Sequence, residues 1–465
     1  MRLGQGLDGE ERGYFTMRSL LSTLAVFVLV LSACSADVAS PGADRVSEPS
    51  GLDSDRQPSS ATTVSEAGPT CDIPDGQPLN VGPEVELAEL GRSGDILVRG
   101  AVYPHPDYEG RPWSQWGQGM VTDDGRLFSA IGDHIGTDGN SYIYEYDPDT
   151  GVLRMVADVL SFVDHSTGSW GYGKIHGQMV EGPCGEIYLS TYWGTFRGLE
   201  FGGSYTGDLM MRLDPYGESL APLEVPVDRH GQASLAASSA HGLVYGEAVD
   251  PILKAEGENK GPFFVYDVES EEVIFENDAS HVGYRNILVD GDGVAYFSLG
   301  QGRLAVYDPE TNGLETHGEL LPGDWVRAST APTADGRVFG VTREPDRFFV
   351  MEPTGEIVDL GEARGYTTTM AVGPDGDYFY YLPYAHGNAW KSGAPLIRVD
   401  GSTGTQDVIL ELSPIVEQSL GYRVGGTYSI AISADGSTLY IGANVASLED
   451  DSGFGEVVLL VIDLP

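Results

Sequence analysis

The stretch YGKIHGQMVEGPCGEIYLSTYWG, Tyr172 to Gly194, reads as two short strands joined by a tight turn at Pro183 to Gly185. Six further copies of that turn follow the same pattern: DDGRLF, AHGLVY, GDGVAY, ADGRVF, PDGDYF and ADGSTLY. Their glycines, with Gly185, are Gly125, Gly242, Gly293, Gly336, Gly376 and Gly436, at successive spacings of 60, 57, 51, 43, 40 and 60 residues. A second landmark trails each turn, in segments such as IYEYDPDTG, LAVYDPETNG and LIRVDGSTG, and it marks Asp147, Asp214, Asp267, Asp308, Glu352, Asp400 and Asp463. An acid followed by Pro and then Thr-Gly is hairpin-turn chemistry, with glycine supplying a positive φ. Alternating strands, tight turns and a period of 40 to 60 residues predict an all-β seven-bladed β-propeller of four-stranded antiparallel blades. The C-terminal VVLLVIDLP falls one strand short of a full blade, and VELAELGRSG (Val85–Gly94) mimics the outer strand EIVDLGEARG (Glu356–Gly365). The N-terminal strand is therefore expected to close the last blade, which removes two sheet edges. An eighth blade stays open if DILVRGAVY (Asp95–Tyr103) begins one.

YSIAISADGSTLYIGAN (Tyr428–Asn444) resembles the repeat of the YVTN/lactonase-type β-propellers, and the likeness runs from about residue 81 onward. That resemblance implies a scaffold. Such families include lactonases, lyases, surface adhesion proteins and plain binding modules, so the fold does not fix the function.

Positions 17 to 34 read MRSLLSTLAVFVLVLSAC: a basic Arg18, an apolar run from Leu20 to Leu31, then LSAC. The run is short of the ~20 residues a membrane helix needs, so it reads as a removable signal. LSAC resembles the lipobox of bacterial lipoproteins, which implies cleavage before Cys34, lipidation of Cys34 and anchorage to the cell membrane outside the cytoplasm. Met17 is then the expected start, and residues 1–33 are an upstream extension plus signal peptide. Residues 34–80 are rich in Ser, Asp, Pro, Ala and Gly and cannot bury enough apolar surface to order themselves. They read as an acidic tether, with the propeller at 81–465. Cys71 and Cys184 remain as a pair, which in an oxidising compartment is expected to form one disulfide.

The chain carries 26 basic and 70 acidic residues, a formal charge of -44, and only four lysines. Such a surface repels phosphate backbones and excludes nucleic acid as a partner. A monomer is expected.

In a propeller the A–B and C–D turns open on one face, and the B–C loops and D–A connections on the other. The long loops here fall on the second face, and all six tryptophans lie on or beside it. Strand A is innermost, so counting back eight or nine positions from each turn glycine selects the groups at the channel mouth. The candidates for catalysis are His176, as a general base, with Arg285, Arg327 and Tyr428; two arginines there can also grip a carboxylate. The candidates for ligand binding are Trp116, Gln118, Gln178, Trp170, Trp193, His230, Trp325, Tyr366 and Trp390. His281 and Tyr284 lie close to the same ring. No close metal-binding spacing occurs, so no metal ligands are assigned, although histidines from separate blades leave a divalent cation open. GxSxG, CxxC and phosphate-loop motifs are absent. The reading is a ligand-binding propeller for a glycan, peptide or small molecule. The alternative is a lyase or lactonase-like enzyme acting on a carboxylated sugar or a lactone.

Overall fold

The computed structural model describes residues 71, 73–110, 112–194, 205–251, 261–280, 285 and 287–465. The signal segment, Cys34, most of the tether, His281 and Tyr284 lie outside the described residues.

Seven antiparallel sheets follow one another around the chain. Blade 1 is Met120–Val121, Leu127–Gly132, Ser141–Asp147 and Val152–Asp158, and each later blade repeats that order. All seven turn glycines take a positive φ, between 63° and 87°, a backbone conformation that a side chain disfavours. The acids of the second landmark also work locally. Asp214 Oδ1 accepts the backbone N–H of Tyr216 and Gly217 at 2.9 and 2.7 Å, and Asp147, Asp267, Asp308 and Asp400 make equivalent bonds.

The ring closes as a seven-bladed circle, with one shift of strand. Tyr422–Ile432, Thr438–Ser447 and Glu456–Asp463 form the first three strands of blade 7, and Ile96–Val102 pairs with the last of them, Leu460 opposite Gly100. The closing strand is thus not VELAELGRSG, as expected, but DILVRGAVY, the stretch that had left an eighth blade open, while Ala88–Ser93 adds a fifth strand outside it. Burial explains the order. Ile96 and Val98 are buried against blade 7, whereas Ala88–Ser93 is mostly exposed, as an outer edge tolerates.

The N-terminal segment continues as a strap. Glu84–Glu86 pairs with the outer strand of blade 1 and Gln77–Pro78 with that of blade 2. It begins at Cys71, whose Sγ lies 3.9 Å from the carbonyl oxygen of Pro183, in the A–B turn that also holds Cys184. No bond joins the two sulfurs in the structure.

The hydrophobic core is divided into wedges between neighbouring blades. Leu127, Tyr144 and Ile131 of blade 1 pack on Tyr440, Leu459 and Val461 of blade 7, for instance, and Phe339, Phe348 and Val350 of blade 5 on Phe379, Tyr381 and Ile397 of blade 6. Each blade is therefore held by two neighbours, which fixes the geometry of the channel mouth. Among the described residues no helix is long and apolar enough to cross a membrane.

Candidate functional site

Inner strands supply the mouth, and their polar side chains are spent first on joining blades. Ser429 Oγ accepts Gly119 N–H at 2.9 Å, Thr368 Oγ1 donates to Thr427 O at 2.7 Å, and Thr369 Oγ1 donates to Gln118 Oε1 at 3.2 Å. Gln178 Oε1 accepts Leu235 N–H at 3.3 Å. Of the two glutamines proposed for ligand binding, Gln118 thus meets Thr369 of blade 6 and, through Nε2, Ile430 O of blade 7 at 3.5 Å, and Gln178 joins blade 2 to blade 3; the two also pair with each other in an isolated bridge.

Above this layer the four residues proposed for catalysis converge and are buried. His176 is 6 % exposed, Arg285 1 %, Arg327 3 % and Tyr428 2 %. Arg285 leaves blade 4 from a left-handed backbone (φ 70°) and crosses the channel. Its Nη1 donates to Thr368 O at 2.8 Å, its Nη2 donates to Trp116 O, and its own N–H donates to Ser234 Oγ. Arg327 Nε donates to Tyr366 Oη at 2.9 Å, and the Arg327 guanidinium lies 5.2 Å from that ring's centroid. Tyr428 Oη is 2.7 Å from His386 Nδ1, and His176 Nδ1 is 3.3 Å from Ala233 O.

The centre of the cluster is Trp116, which remains partly exposed. Phe454 stacks on it at 5.6 Å with a 3° interplanar angle, Tyr428 lies at 4.5 Å and His386 at 6.0 Å. His134 and His176 stand 5.6 and 6.2 Å away. Trp116 Nε1 and His134 Nε2 both meet Ser114 Oγ, at 2.6 and 2.7 Å. Lys174 Nζ sits 4.4 Å from the Trp116 ring centroid.

The charges that act on His176 are those of cations. Burial holds the His176 imidazole well below its ordinary range, and the cations of Arg285, Lys174 and Arg327 push it further, so it is neutral at pH 7. His134 behaves likewise, through burial and then Lys174. Burial, with Arg327 nearby, pushes Arg285 down to about 9, which leaves it charged at neutral pH.

The remaining tryptophans do not join this platform. Trp113 is buried in a stack with His105 at 4.4 Å. Trp193 is 2 % exposed and lies on Gly231, where a Cβ would come within 2.0 Å of its ring; Tyr192 covers it at 4.1 Å. Trp170 packs against that same group, and Trp390 lies under the Arg423 guanidinium at 4.5 Å. Trp325 opens the inner strand of blade 5, opposite Arg343. His230 Nδ1 faces Asp228 O at 2.7 Å, and Tyr366 joins the centre through Arg327 and through His386 at 6.4 Å. Lys174, His134 and Phe454 are central yet were not among the sequence candidates. For Lys174 a signal existed: it is one of four lysines in the chain and stands two positions before His176. Among the described residues no cluster of three His, Cys, Asp or Glu side chains is placed to hold a metal ion. Two shallow cavities, of about 250 and 470 Å³, lie away from the mouth, one beside Arg337 and Asp377, the other beside Gln301 and Pro345.

No family model matches the chain. No curated protein sequence matches it either. Solved structures do resemble it. Virginiamycin B lyase from Staphylococcus aureus is 10% identical, with a TM-score of 0.51 over 80% of this chain and 100% of that one. A streptogramin B lyase is 12% identical, with a TM-score of 0.50 over 79% of this chain and 98% of that one. At such identities the likeness is one of fold alone.

Proposed function

We propose that this chain is a recognition module that binds a glycan at the loop-rich face, with a sugar ring lying on Trp116. The observation that carries the reading is the platform itself: a partly exposed indole braced by Phe454, Tyr428 and His386 at the mouth of a rigid ring. Recognition is preferred to turnover because His176, Arg285, Arg327 and Tyr428 are buried and engaged with neighbouring groups. On an immobilised oligosaccharide array, Trp116→Ala should lose at least about tenfold of the wild-type signal, while Trp116→Phe keeps part of it. Unchanged binding by the alanine variant, with its melting temperature preserved, would remove Trp116 from the site.

The reading includes a lipid anchor at Cys34, outside the cytoplasm, and a Cys71–Cys184 disulfide pinning the strap. The closeness of Cys71 to Pro183 supports the second. One mass spectrum of peptides from the membrane fraction, taken without reductant, checks both. It should show an acylated Cys34 peptide and a single cross-linked Cys71–Cys184 pair; an unmodified Cys34 in a soluble chain would overturn the anchor.

A further inference from the structure

In a chain of charge -44, cations are expected to find carboxylates, and across the body of the propeller they do. Arg99, Arg126, Arg154, Arg212, Arg347 and Arg423 are each ion-paired to an Asp or Glu. Arg285 departs from this pattern. It is 1 % exposed, its two Nη atoms donate to backbone carbonyls, and its Nε has no hydrogen-bond partner among the described residues. Among the described residues no carboxylate pairs with it. Glu247, an acid on the neighbouring blade, is fully buried and takes its bond from Ser234 Oγ at 3.0 Å. The neighbours of Arg285 at the mouth add positive charge. Arg327 lies close enough to depress its pKa, and Lys174 and Arg327 act with it on His176. The mouth therefore gathers cations around a buried guanidinium that has no counter-ion among the described residues, and it does so beside the partly exposed Trp116.

We infer that the ligand is an acidic sugar, a uronic acid residue whose ring lies on Trp116 and whose carboxylate is directed at the Lys174 ammonium, 4.4 Å from the Trp116 centroid. A carboxylate there makes a charge-assisted contact with Lys174 and adds negative charge among the cations of the mouth, in low-dielectric surroundings where the interaction is strengthened. A neutral hexose of the same shape keeps the stacking and loses that contribution. This inference rests on the glycan reading above and deepens it.

Titration calorimetry on the purified full chain, with galacturonate and glucuronate against galactose and glucose, separates the two ideas. The uronates should bind at least about tenfold more tightly than their neutral counterparts, and the preference should shrink toward unity in about 1 M salt. Lys174→Met should abolish the preference and Lys174→Arg restore it; if Lys174→Met fails to fold, the salt series carries the same test. Equal affinity for uronate and neutral sugar would overturn the charge inference and leave the platform reading standing. Binding of none of the four sugars would overturn both. Acetate binding as tightly as the uronates would also overturn the inference, since the site would then read the anion without the ring.

Discussion

Arg285→Ala is expected to lower the stability of the propeller by about 3 kcal/mol, because this side chain is a tie-bar between blades. Its fork reaches from blade 4 to Thr368 O of blade 6 and to Trp116 O of blade 1, and its own N–H is held by Ser234 of blade 3. A charged hydrogen bond to a buried carbonyl contributes about 1.5 to 3 kcal/mol, and the alanine variant leaves two such carbonyls without that donor. An opposing contribution comes from the charge itself. A buried guanidinium without a carboxylate is costly to desolvate, so removing it returns part of the loss. Losses from two broken bonds and an emptied space exceed that gain. Arg285→Met, which fills the space without donors, should lie between wild type and alanine. Urea unfolding midpoints at neutral pH measure all three. A midpoint for the alanine variant equal to wild type would mean that the crossing bonds contribute nothing, and the fork would then be available for a ligand.

The turns that define the blades were legible because they are local chemistry. A glycine with positive φ and an Asp that caps its own turn leave a pattern whatever surrounds them. The closing strand was harder. Ile96–Val102 and Ala88–Ser93 both read as strands, and only the burial of Ile96 and Val98 against the last blade decides which lies inside. Convergence at the mouth followed from register alone, since strand A is innermost in every blade, and Trp116, His176, Arg285, Arg327 and Tyr428 do meet there. What register could not supply is how each side chain is used. Arg285 crosses the channel from a left-handed backbone, and Gln118 and Gln178 are occupied by Thr369 and by the Leu235 N–H. Trp193 sinks into the wall because Gly231 leaves a slot for its ring. Such outcomes depend on residues tens of positions away in sequence, where no short motif records them.

Asp208→Asn is expected to gain stability over wild type as pH rises from about 4 to 7, by up to about 4 kcal/mol, with no further change above that range. Asp208 closes the B–C loop of blade 2 and is fully buried. Tyr205 Oη donates to it at 2.7 Å and Thr191 Oγ1 at 3.1 Å, and its own N–H donates to His230 O at 2.9 Å. Those donors favour the carboxylate, yet burial outweighs them and raises its pKa to about 7. The sign follows from where the proton binds more tightly. Between the unfolded value near 4 and the folded value near 7 the native state holds a proton that the unfolded chain has released, so wild-type stability falls as pH rises. Asparagine cannot ionise, so its variant lacks that slope. Exposed turn acids act in the opposite direction and lower down: Asp400, held at about 2 by Ser402 and Thr403, loses its contribution only as pH falls below the window. Unfolding free energies of both proteins at pH 4, 5, 6, 7 and 8 make the comparison. Parallel curves would mean that Asp208 ionises in the folded state as readily as in the unfolded chain. A widening gap would identify the buried Asp208 carboxylate as a source of instability at the base of this loop at neutral pH.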